Sequence, residues 1–173
     1  MLRIQLLGDI RIEWAGRAVD LPRRAGALRL LVRLLLSPNR LHPRESLAFA
    51  LWPDVAEADA LSNLRRHLHL LRSSLPGEAR DRLHASARDL GWTPNPGDWC
   101  DMWAFEAAAA ETGAAERAAV LYQGELAPSL GDDEAVVGRR ESLRQRYASL
   151  LKELAWRAAQ SGAAEAGLAW ARR

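Results

Sequence analysis

Between residues 61 and 75 the chain places Asn63, Arg65, Arg66, His69 and Arg72, donors with the reach and chemistry to meet phosphate oxygens and base edges of DNA. Leucines at 61, 64, 68, 71 and 75 run through the same segment at steps of three and four. That spacing predicts one helix with a buried leucine seam. At about 100° per residue, Ser62, Arg66, His69, Leu70 and Ser73 point away from the seam, and Arg65, His67 and Arg72 flank it. Laid in a major groove, such a face recognises nucleic acid; left in water, it is a solvated charged surface, and the periodicity is the same for both.

The surrounding residues supply elements to position that helix. Ala25 to Leu36 is a strongly helical run, broken only by Arg29 and Arg33 and stopped by Ser37-Pro38-Asn39. Pro43 opens a second, shorter helix with Glu45 near its positive end, and Trp52-Pro53 closes it. Asp54 to Ala60 is an acidic loop in which Asp59 is the candidate cap of the leucine-seam helix. Before these helices, alternation at Leu2, Ile4 and Leu6 and at Ile10, Ile12 and Trp14, followed by Val19 and Leu21 after the turn Ala15-Gly16, predicts a small antiparallel sheet. After them, residues 82–85 and 90–93 bracket Ser86-Ala87-Arg88-Asp89, a hairpin with Arg88 at its tip.

The order of sheet, three helices and hairpin carries Leu51-Trp52-Pro53-Asp54, then Ser62-Asn63-Leu64-Arg65, Leu68-His69 and Leu71-Arg72. Downstream stand Asp101, Ala104-Phe105-Glu106, Leu121-Tyr122, Gly124-Glu125-Leu126, and Glu141 with Leu143 and Tyr147. Over nearly its whole length the chain resembles the Streptomyces antibiotic regulatory protein type of transcriptional activator. The resemblance implies an α+β fold at the amino end, a winged helix-turn-helix of the OmpR class with an antiparallel sheet, in residues 1–93. It implies an all-α bacterial transcriptional activator domain of tetratricopeptide-like helix pairs in residues 99–173. The helix around residues 60–75 is then the recognition helix and the hairpin around 83–93 the wing; Asn63, Arg65 and His69 match residue types the family commonly has there. Leu70, Arg66 and His67 depart from the family pattern, and His42-Pro43 replaces the usual serine or threonine cap of the second helix.

Charge is divided unevenly along the chain. Residues 1–92 hold 15 arginines against 10 acids, whereas residues 93–173 hold 9 bases against 12 acids, so a net +2 conceals a basic first half. Lys152 is the only lysine. Met1-Leu2-Arg3-Ile4-Gln5 reads as a strand rather than a signal peptide, and no apolar run reaches membrane length, so a cytoplasmic, nucleoid-associated protein without membrane contact is expected. The single Cys100 excludes an internal disulfide and reads as a partly buried structural thiol. No cysteine–histidine metal spacing, phosphate-binding glycine loop or nucleophile–base pair occurs, so neither a cofactor nor an enzymatic activity is expected.

Two prolines and a glycine in residues 93–98 mark the boundary between the halves. Beyond it, Asp101 is the candidate cap of a helix reaching Glu111, a second helix spans residues 114–122, and a third spans about 134–160 with Leu143, Tyr147, Leu150, Leu151, Leu154 and Ala158 as its buried stripe. The acids Asp132, Asp133 and Glu134 suit its positive end. A last helix begins at Ala163 with Leu168 and Trp170 in want of partners, which predicts a longer native chain, packing of this helix on the second domain, or a second copy packed there as a homodimer. Trp52 and Trp92 are read as packing anchors.

Two functions remain open at this point. The first is a sequence-specific regulator of transcription that binds double-stranded DNA through Asn63, Arg65, Arg66, His69 and Arg72, with Arg88 at the adjacent minor groove or backbone; the resemblance adds direct-repeat promoter sites, activation and RNA polymerase as a partner. The second is a protein-interaction module that has lost DNA binding, favoured by Leu70 on the outward face.

Overall fold

The computed structural model describes all 173 residues. The chain opens with β1 (Leu2–Gln5) and β2 (Arg11–Trp14), antiparallel with Ile4 opposite Ile12, and β3 (Arg17–Ala18) folds back on β2. The β2–β3 turn is Ala15-Gly16, with φ +49° and +77°. Two successive positive φ values are what a tight right-twisting hairpin demands. Strand β3 is only two residues long, so Val19 and Leu21, expected to extend it, lie outside.

Helix α1 (Ala25–Leu35) is the centre of the molecule, with Leu30, Leu31, Val32, Leu34 and Leu35 all buried. Then come β4 (Leu41–Pro43), α2 (Arg44–Leu51) and α3 (Glu57–Ser74). The sequence reading missed β4 and began α2 at Pro43, which is instead its cap position. Helix α3 starts earlier than expected: Ala56 is its cap residue without a side-chain bond, and Asp59 sits inside the first turn rather than capping it. There its charge still meets the positive end of the helix dipole.

A 3-10 turn (Gly77–Arg82) leads into β5 (Leu83–Ala85) and β6 (Asp89–Trp92), the expected hairpin, and β4 completes this second sheet in the order β4-β6-β5. Strand β7 (Trp99–Cys100) then returns to the first sheet, pairing in parallel with β1, so that the order there is β3-β2-β1-β7. Four helices follow: α4 (Asp101–Ala110), α5 (Ala115–Leu121), α6 (Glu134–Gln160) and α7 (Ala164–Ala171).

A single cluster of 38 buried residues runs from Leu2 through α1 and α3 to Leu154. Polar bonds fasten the carboxyl-terminal helices to the amino-terminal elements. The buried carboxylate of Asp101 accepts from the backbone amides of Leu6 (2.8 Å), Leu7 (3.0 Å) and Met102 (2.7 Å); Asp101 is the first residue of α4 rather than its expected cap, a position taken by Cys100, and its carboxylate chiefly ties the end of β1 to the helix. Trp103 Nε1 donates to the Leu35 carbonyl at 2.9 Å, closing the end of α1. Asp133 does more than favour the dipole of α6. It accepts from the Val136 amide as a true cap and is shared by Arg33 (3.6 Å) and Arg29 (4.0 Å) of α1.

Helix α6 buries Val136, Leu143, Leu150 and Leu154, with Tyr147, Leu151 and Ala158 half-buried beside them. Helix α7 packs on α6 but buries no residue fully. Leu168 is 55% exposed, as anticipated, whereas Trp170, expected to lack a partner too, is half-buried against the core; Trp156 on α6 is 67% exposed. No helix is long and apolar enough to cross a membrane.

Candidate nucleic-acid interface

Helix α3 is held from behind. Leu64, Leu68 and Leu71, with Leu75 just past the helix end, are buried, and Leu61 is half-buried. These residues share one side of the helix because they repeat at three and four. His67 joins them rather than flanking the seam. It is 7% exposed and stacks on Trp52 with ring centroids 5.2 Å apart. Its Nδ1 donates to the Asn63 carbonyl at 2.8 Å, since a carbonyl can only accept, and Nε2 faces α1. Gly26 makes that possible: a Cβ there would stand 2.6 Å from His67 Nε2. His67 is thus a packing residue.

Leu70 keeps its place away from the leucine seam, because α3 is one continuous helix, but it is half-buried there rather than fully exposed.

What faces outward is Ser62, Arg65, Arg66, His69, Arg72 and Ser73, all exposed. Arg65, His69 and Arg72 fall within about 60° of one another around the axis, and Arg66 extends the patch on one side. Asn63 is half-buried, and its Oδ1 accepts from Arg66 Nη2 at 2.8 Å. The amide thereby holds one guanidinium in place while keeping its own NH2 group free to donate.

The hairpin stands beside this face. Ser86 organises its loop, accepting at Oγ from the Arg88 amide (3.1 Å) and the Asp89 amide (2.9 Å), which leaves the Arg88 side chain exposed at the tip. An open groove of about 640 Å³ lies between α3 and the hairpin, bringing Arg65 and Arg88 together with Arg44, opposite Glu45 and Asp89. Arg66, His69 and Arg72 lie outside that groove, further along the exposed face.

Arg44 was missed by the sequence reading. Its Nε donates to the Ser86 carbonyl at 2.9 Å, and its amide donates to the Arg88 carbonyl at 2.8 Å, so the first residue of α2 fixes the hairpin loop from both main chain and side chain. A signal existed. A cation at a helix amino terminus opposes the dipole, and such a residue needs a reason.

The far end of the hairpin is anchored by Arg82 and Asp98, whose side chains are only 8% and 1% exposed. Arg82 Nε donates to Asp98 at 2.8 Å, and Asp98 also accepts from the amides of Leu2 and Asn95, both at 2.9 Å. Burial pushes this carboxyl upward, but the bond from Arg82 and those two amides outweigh it and hold the carboxyl below the ordinary aspartate range. Cys100 lies nearby and is fully buried. Desolvation pushes its thiol up to about 12, so it is protonated and unreactive at neutral pH.

No family model matches the chain, and no curated protein matches it. Among solved structures, the chain is similar to Mycobacterium tuberculosis EmbR in complex with a low-affinity phosphopeptide, with a TM-score of 0.77 and 22% identity. The likeness covers 97% of this chain and 48% of that one, so the chain spans about half the length of EmbR. What the two share, over almost every residue of the present chain, is the fold.

Proposed function

We propose that the protein is a sequence-specific DNA-binding regulator of transcription, with residues 1–93 as a winged helix-turn-helix and residues 99–173 as a tetratricopeptide-like helical module. The observation that carries this reading is the outward row of Arg65, Arg66, His69 and Arg72 on a helix whose other side is locked into the core, beside a hairpin tipped by Arg88. The fold shared with EmbR and the resemblance to the antibiotic regulatory proteins support it.

In this mechanism α3 enters the major groove. Arg65 and Arg66 make bidentate contacts to guanine edges, His69 and Arg72 reach base edges or phosphates, and Asn63 orients Arg66 while donating from its amide. The hairpin lies along the flanking backbone, with Arg88 at the adjacent minor groove, and Arg44 adds a phosphate contact from the start of α2. Activation, binding to direct repeats, contact of the helical module with RNA polymerase and homodimerisation through the open face of α6 and α7 belong to the same proposal.

Selection from a random duplex library with the purified chain tests it. The expected result is one enriched motif, in single or directly repeated half-sites, that Arg65→Ala with Arg66→Ala no longer selects. Absence of any enriched motif, or the same motif from the double variant, would overturn the reading.

A further inference from the structure

Four of the eight large hydrophobic side chains exposed on the molecule fall into two patches on different elements. The first is a notch of about 480 Å³ between α2 and the start of α3, walled by Phe49 (72% exposed), Val55 (43% exposed) and the half-buried Trp52. No cation lines it. Glu57 stands on its rim, and Asp54 and Asp59 flank it in the chain; all three are exposed and none forms an ion pair. Glu45 is shared with the neighbouring groove, which Arg44 and Arg65 line.

The second patch lies on the antiparallel pair α6 and α7. Gly167 is the point of contact between them: a Cβ there would stand 3.3 Å from the Ala155 carbonyl oxygen and 3.5 Å from Ala158 Cβ. One residue further along, Trp156 on α6 and Leu168 on α7 are each turned by about 100°, and in antiparallel helices those turns lead to the same side. Trp170 is turned the other way, against the core. Lys152, one turn before Trp156, and Arg172, one turn after Leu168, are exposed and form no ion pair. Glu153 is spent on Arg157, which leaves Glu165 as the one free acid nearby. An apolar centre with a positive balance is the complement of the notch.

We propose that the notch of one copy receives Trp156 of a second copy, with Lys152 and Arg172 set against the acidic rim. The notch has room for an indole, the largest apolar anchor a side chain offers. Pairing either patch with its own counterpart would bring acids against acids or cations against cations, so charge selects unlike ends. The contact is therefore head to tail: each added copy leaves a free notch at one end and a free tryptophan at the other, and all copies point the same way. This rests on the homodimerisation proposed above and assigns the surface that covers α6 and α7.

Sedimentation equilibrium of the 173-residue chain without DNA, from about 5 to about 500 µM, tests the contact. Two small patches give weak association, in the range of about 10–100 µM, and the mean mass should climb past twice that of the chain because the ends stay open. Phe49→Gln alone and Trp156→Glu alone should each weaken self-association by about tenfold or more. Both side chains are exposed, so melting temperatures should stay at the wild-type value. An equimolar mixture of the two variants should regain the wild-type affinity yet stop at a dimer, since one native contact remains and neither end can extend it. A mass that levels off at a dimer in the wild type, abolished by Trp156→Glu and untouched by Phe49→Gln, would mean like-with-like pairing of α6 and α7 and would overturn the proposal alone. A mixture that stays monomeric would do the same. A wild-type chain still monomeric at about 500 µM would overturn homodimerisation with it, while leaving DNA binding to its own test.

Discussion

The salt dependence of DNA binding follows from a count of guanidiniums. Five face the proposed duplex: Arg44, Arg65, Arg66, Arg72 and Arg88. If all five neutralise phosphates, the logarithmic salt slope is about −4.5; if Arg65 and Arg66 are spent on base edges, it is about −2.7. Raising salt from about 50 to about 200 mM should then weaken binding by roughly 40- to 500-fold. Fluorescence anisotropy on the selected duplex at four or five salt concentrations measures the slope. Arg72→Gln and Arg88→Gln should each flatten it by about 0.9. Both side chains are exposed and make no hydrogen bond or ion pair, so neither change should shift stability by more than about 0.5 kcal/mol. Lys152→Gln, an exposed cation on α6, should leave the slope alone. A slope shallower than about −1, or one that Arg72→Gln and Lys152→Gln flatten equally, would refute the placement of α3 in the groove.

Three further outcomes follow from packing and ionisation. Asp98→Asn strips a buried ion pair of one partner and should cost about 3 kcal/mol in urea unfolding; because the Asp98 pKa lies below its ordinary 3.8, the wild-type stability from this group is complete above that value and drains as pH falls through the lower folded one, a loss the variant should lack. Gly26→Ala, which in an ordinary helix interior stabilises by about 0.5–1 kcal/mol, should here destabilise by about 1–3 kcal/mol by colliding with His67, and the sign should revert in a His67→Ala background. Cys100, with its thiol pushed up to about 12, should resist alkylation near neutral pH until the chain unfolds, so labelling at the rate of a free thiol would contradict its burial.

The elements with a strong internal period were legible in the sequence. The seam of α3, the run of α1 and the stripe of α6 were all visible because periodicity is local. What escaped depended on partners distant in the chain. Strand β4 is three residues ending in proline and exists only because β6 pairs with it, and β7 exists only because β1 offers a parallel edge nearly a hundred residues earlier. His67 was misassigned for the same reason. Its position on the helical wheel is marginal, and a missing Cβ at Gly26 on another helix draws it inward. The outward arginines were legible, whereas the hairpin anchors Arg44 and Arg82 were not, since their partners Ser86 and Asp98 lie 42 and 16 residues away.

The arrangement around α1 bears on how any regulation would work. One side of α1 packs on α3, where Gly26 receives His67, and Arg29 and Arg33 on the same helix reach Asp133 at the start of α6. Asp101 and Trp103 add bonds from α4 to β1 and to the end of α1, and the apolar cluster is continuous across all of them. A loosely tethered pair of domains would have few such crossings and would move as separate bodies. Here α3 cannot turn relative to α6 without disturbing either the fit of His67 against Gly26 near one end of α1 or the bonds of Asp133 and Trp103 to the rest of that helix. In the proposed regulator, a signal received by the helical module would therefore reach DNA by reorienting the whole chain, or by joining two copies on neighbouring sites, rather than by swinging α3 on a hinge.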